Sequence, residues 1–130
     1  VLADLLSERG RHAEQLDLLE VPEGCPASAA LRNALAFALA TLPDAGLRDG
    51  ARALALAGEA VAASGGTSPD YLDTLAAAYA ELGRFDEAVA EQRRALALVE
   101  GRGLPDGFVA SLRAHLALLE SGRPIREPAR

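Results

Sequence analysis

Tyr71-Leu-Asp-Thr-Leu-Ala-Ala-Ala-Tyr-Ala-Glu-Leu-Gly-Arg-Phe-Asp-Glu-Ala-Val-Ala90 decides how this chain folds. Leu72, Leu75, Ala76 and Tyr79 recur at helical spacing and so share one face of a helix. Just upstream, Ser68-Pro69 supplies an N-cap followed by proline at the first helical position, where a missing N–H costs nothing. Gly83 marks a stop, and a second amphipathic pattern begins at Phe85. Ala88 and Ala95 then fall where small side chains let two helices approach closely. The stretch reads as a helix, a glycine turn and a second helix.

The same punctuation extends along the chain. A first candidate helix covers residues 1–8 and stops at Arg9-Gly10, and a second covers 11–20 and is ended by Val21-Pro-Glu-Gly-Cys-Pro26. Ser28 caps a third that runs to Thr41 and is closed by Leu42-Pro-Asp-Ala-Gly46. A fourth spans Arg48 to Ser64, with Gly65-Gly66 as its C-terminal stop. The fifth runs from Ser68-Pro69 to Leu82, the sixth from Phe85 to just before Gly101, and the last from Pro105 to Glu120. Residues 122–130 follow as a tail.

Composition agrees with an all-α chain. Half of the 130 residues are apolar, but these are mostly Ala and Leu, with three Phe, two Tyr and no Trp. The net charge of −6 argues against a nucleic-acid surface, which needs clustered cations to displace counterions. All thirteen basic side chains are Arg; with the excess of Ala, Gly and Leu, that suits a GC-rich bacterial genome. A single cysteine, Cys25, demands no oxidising compartment, and no apolar run approaches the ~20 residues that span a bilayer. The chain opens at Val1 inside a helical pattern, which reads as a piece of a longer protein. The expected compartment is cytoplasmic by default, or periplasmic if that longer protein is membrane-anchored.

The unit built on Leu72, Leu75, Ala76, Tyr79, Gly83, Ala88 and Ala95 resembles a tetratricopeptide repeat. Gln92, where a large aromatic is usual, and Glu100, where Pro is usual, depart from that pattern. Gly10-Arg-His-Ala-Glu-Gln15 parallels Gly83-Arg-Phe-Asp-Glu-Ala88, and Leu35, Ala36 and Leu39 align with Leu75, Ala76 and Tyr79. Glu120-Ser-Gly-Arg123 parallels Glu81-Leu-Gly-Arg84. Residues 28–127 resemble a module found near the C-termini of large bacterial tetratricopeptide proteins, some of which carry membrane-bound glycosyltransferase-like domains. The resemblance implies an α-solenoid of antiparallel helix hairpins forming a single domain over residues 1–127. About three units (1–24, 28–66 and 69–102) would be closed by a C-terminal capping helix, 105–121. It also implies a scaffold for protein segments, and it transfers no catalytic residue.

In such a stack the first helices line a concave wall. Leu31, Leu35, Ala38, Leu39 and Leu42 form one stripe of the third helix, while Asn33, Phe37 and Thr41 lie on another face. In the fifth helix Asp70, Asp73, Thr74, Ala77 and Glu81 lie away from the stripe. The expected peptide-binding groove is therefore Asn33, Phe37, Thr41, Asp70, Asp73, Ala77 and Glu81. It offers an aromatic contact, an amide able to pair with peptide backbone, and carboxylates that favour a basic partner. The simpler alternative is that Phe37 packs between neighbouring helices and the acids only solubilise a surface.

Chemistry is sparse. With no lysine there is no P-loop, and Gly65-Gly66-Thr-Ser is explained as a helix stop followed by an N-cap. His12 and His115 are far apart and belong to no metal-spaced cluster, so each reads as a satisfied surface or core histidine. Cys25 lacks a nearby base. The expectation is a protein–protein interaction scaffold with no catalytic, metal or cofactor residues. The alternatives are self-association through an exposed stack end and a substrate-recruiting appendage of a larger glycosyltransferase-like protein.

Overall fold

The computed structural model of the chain describes residues 28–100 and 102–126, and these are all-helical, with no strand among them. The candidate helices before residue 28, with His12 and Cys25, lie outside the described residues. Five α-helices follow one another on short connections: α1 (Ala29–Thr41), α2 (Gly50–Ala63), α3 (Pro69–Glu81), α4 (Phe85–Val99) and α5 (Asp106–Glu120). A single 3-10 turn, Ala45–Leu47, lies between α1 and α2.

Local chemistry sets most of the ends. Ser28, Asp49 and Ser68 each accept a backbone N–H three residues ahead, which caps α1, α2 and α3. The C-termini of α3 and α5 close in the same way. Gly83 and Gly122 take positive φ, and the following Arg84 and Arg123 donate their N–H groups back to Tyr79 and Leu118 at 2.9 Å. The Glu-x-Gly-Arg parallel seen in sequence is thus one helix-stop motif used twice. One end differs: α2 starts at Gly50, not Arg48. The Arg48 guanidinium instead holds the carbonyls of Leu42 and Pro43, at 2.7 and 3.1 Å, which folds the Pro43–Asp49 connection against the end of α1.

Consecutive helices pack together, and α3 also packs on α1 and α5. Four helices therefore surround α3, and every residue from Leu72 through Ala78 is buried. More than half of the buried apolar positions among the described residues are alanines, including Ala36, Ala40, Ala57, Ala60, Ala76, Ala80, Ala88 and Ala95. Leu35, Leu42, Leu72, Leu112, Leu119 and Ile125 are the largest fully buried apolar side chains among the described residues. Tyr79, expected in the core, is only half-buried; Arg84 lies over its ring, 4.9 Å from the centroid.

Residues beyond α5 also contribute to packing. Pro124 follows the helix stop, and Ile125 is 1% exposed, in the same cluster as Leu35, Leu39, Ala40, Ala77 and Leu119. Arg126 reaches the carbonyl of Ala40 at the end of α1 and the carboxylate of Glu81 at the end of α3. No helix among the described residues is long and apolar enough to cross a membrane.

Candidate functional site

A pocket of about 420 Å³ opens on the face made by α1, α3 and α5. Asn33 and Phe37 come from α1, Asp70 and Asp73 from α3, and Phe108, Leu112 and His115 from α5. Asn33 and Phe37 are four residues apart and so point to one side of α1; Phe108, Leu112 and His115 repeat the same logic on α5. Four of the seven expected groove residues (Asn33, Phe37, Asp70 and Asp73) therefore meet at one site.

The other three do not. Thr41 is fully buried, and its hydroxyl donates to the carbonyl of Phe37 at 2.7 Å. Ala77 is buried in the main apolar cluster. Glu81 sits between two guanidinium groups, Arg48 at 2.9 Å and Arg126 at 2.8 Å. The wheel argument treats α3 as having one free side, whereas a helix with four neighbours has almost none.

Asp73 shows the same effect most clearly. Expected on the wall, it is 7% exposed, and its Oδ1 accepts both the Gln92 side-chain amide and the His115 ring Nδ1, each at 2.8 Å. Gln92 is completely buried and also donates to the Leu112 carbonyl at 3.0 Å. One carboxylate thus ties α3 to both α4 and α5. An aromatic side chain at position 92 would remove this bridge.

Asp70 lies at the pocket mouth, where Asn33 Nδ2 donates to its Oδ2 at 3.3 Å. Partial burial pushes its pKa above the ordinary carboxylate value, and the negative charge of Asp73 pushes the same way; the Asn33 hydrogen bond opposes both. With its Nδ2 so engaged, Asn33 keeps a buried Oδ1 without a partner. The site thus brings together the Asp70 carboxylate and a buried, unpartnered amide oxygen of Asn33, both acceptors, in a pocket that Phe37 and Phe108 also line.

The hydrogen bond to Asp73 raises the pKa of His115, with burial opposing it. A raised histidine pKa adds stability that is fully present below the unfolded value of 6.5 and is lost as pH rises through the folded value. His115→Gln is therefore expected to lower the melting temperature most at about pH 5.5, with the gap narrowing by about pH 8.5. Asp70 remains in both chains, so its own contribution cancels in the difference. A gap that stays constant across that range would assign the pair to neutral imidazole.

Sequence reasoning missed His115, Gln92 and Phe108 as parts of one site. The spacing Phe108, Leu112, His115 was the available signal, since it marks the side of α5 that meets α3. Ser111 also lines the pocket, one turn from His115, yet no hydrogen bond joins it to the imidazole among the described residues. Among the described residues no three His, Cys, Asp or Glu side chains are grouped so as to hold a metal ion. No protein-family model, curated protein or solved structure matches the chain.

Proposed function

We propose that this chain is a protein-interaction scaffold of tetratricopeptide-like helix hairpins stacked as a solenoid, with the α1–α3–α5 face as its binding surface. Its partner is a protein segment that places an arginine or lysine in the pocket. The observation that carries this reading is the convergence of Asp70 and the unpartnered Asn33 Oδ1 on a pocket whose lining includes Phe37 and Phe108. A guanidinium brings planar donors and an aliphatic stem, which suit a carboxylate and an amide oxygen in a pocket with aromatic side chains in its lining. Asp73 is less available, because Gln92 and His115 already hold its Oδ1. Asp70 is thus the anchoring charge.

Selection of peptides displayed on phage tests this. Wild-type chain is expected to enrich peptides carrying Arg or Lys, and Asp70→Asn, which keeps the shape and removes the charge, is expected to bind them about tenfold more weakly. Enrichment without basic residues, or equal binding by the variant, would sink the proposal.

A further inference from the structure

The pocket is lined by Asn33, Phe37, Asp70 and Asp73, and the chain's own residues 124–126 pack further along the same helices, by Ala40 and Glu81. Pro124 prevents the helix from continuing. Ile125 then drops into the apolar cluster that holds Ala40 and Ala77, and Arg126 places its guanidinium between Glu81 and the Ala40 carbonyl. Two of the expected groove positions, Ala77 and Glu81, thus belong to the seat of this segment.

The seat has recognisable chemistry. Its apolar part is the cluster of Leu35, Leu39, Ala40, Ala77 and Leu119, in which the branched side chain of Ile125 is almost fully buried. Its polar part is the partly buried Glu81 carboxylate, whose Oε1 is held at 2.9 Å by Arg48. Glu81 Oε2 lies 2.8 Å from Arg126 Nη2 as an ion pair, without the alignment of a hydrogen bond, and so keeps acceptor capacity in a buried place. The resident segment therefore satisfies the seat's charge better than its hydrogen-bonding geometry. A guanidinium arriving at a better angle would gain what Arg126 leaves unmade.

We infer that this seat is a second recognition site, for a protein segment in which a branched apolar residue is followed directly by arginine, and that residues 124–126 are its displaceable resident occupant. The inference does not rest on the pocket, because none of the pocket's anchoring groups takes part. Phe37 joins the two sites physically: it lines the pocket and also packs on the cluster that contains Ile125.

The test uses a fluorescent Ser-Gly-Arg-Pro-Ile-Arg peptide, the sequence of residues 121–126, added to the full chain and read by anisotropy. Arg126→Glu sets a negative charge against Glu81 and so frees the seat while leaving the helices unaltered. This variant is expected to bind the peptide at least tenfold more tightly than wild type. A peptide with its Ile and final Arg replaced by Ser should not bind, and adding Glu81→Gln to the variant should abolish the gain. Should Arg126→Glu fail to fold, Arg126→Ala, which adds no charge, decides the matter with an expected gain of about threefold. A folded variant with a normal helical spectrum and no gain would overturn the inference and leave residues 124–126 as packing alone. Wild-type dimers in sedimentation, lost in the Arg126 variants, would also overturn it, by assigning the seat to a second copy of the chain.

Discussion

Replacing Asp73 by alanine is expected to destabilise the chain by about 2–4 kcal/mol. The loss is not that of one surface acid. Asp73 Oδ1 is the shared acceptor for the Gln92 amide and the His115 ring, so its removal leaves a buried amide with only the Leu112 carbonyl and an imidazole with no counter-charge. Water reaches the imidazole more easily than it reaches Gln92, and for that reason the expected cost stays below that of a fully dry ion pair. Asp73→Asn separates the contributions, since it keeps an acceptor and removes the charge; it should recover roughly half of the lost stability at neutral pH. Urea denaturation of the three chains measures this. A cost below about 0.5 kcal/mol for the alanine variant would mean that α3, α4 and α5 are held together without the bridge.

Leu112→Ala is the second large effect, at about 2–5 kcal/mol. Leu112 is fully buried in a cluster with Leu96 and Val99 from α4, and Phe108, Val109 and Leu116 pack around it. Its backbone carbonyl, which Gln92 uses, survives the substitution. The measurement therefore reports side-chain packing across the α4–α5 contact, with the polar bridge left in place. The cost should appear in the single unfolding transition of the chain. A separate early transition would show that α5 detaches before the rest unfolds.

Much of the local architecture was legible because its causes are local. Ser28, Ser68-Pro69, Gly65-Gly66 and Gly83 are read from neighbours within one turn, and each does in the structure what its chemistry dictates. The start of α2 was misplaced by two residues because Arg48 is engaged with carbonyls five and six residues back, and Asp49 takes the cap. The grouping of Asn33 with Phe37 and of Asp70 with Asp73 follows from helical spacing, so that half of the candidate site could be read from sequence. The rest depends on how far one helix slides along another. Neither Gln92 nor His115 carries any sign that Asp73 lies opposite it, and nothing in Arg-Pro-Ile-Arg announces that it returns to Ala40, 86 residues away.

The alanines at the helix contacts set one more property of the molecule. An alanine surrenders no rotamer freedom when buried, so close approach of the backbones costs little entropy. It also removes little apolar surface from water, and exposed apolar surface is what gives unfolding its heat capacity. A chain in which alanine fills more than half of the buried apolar positions among the described residues should therefore have a shallow stability curve. Its folding free energy would change less between cold and warm conditions than that of a leucine-packed domain of equal length.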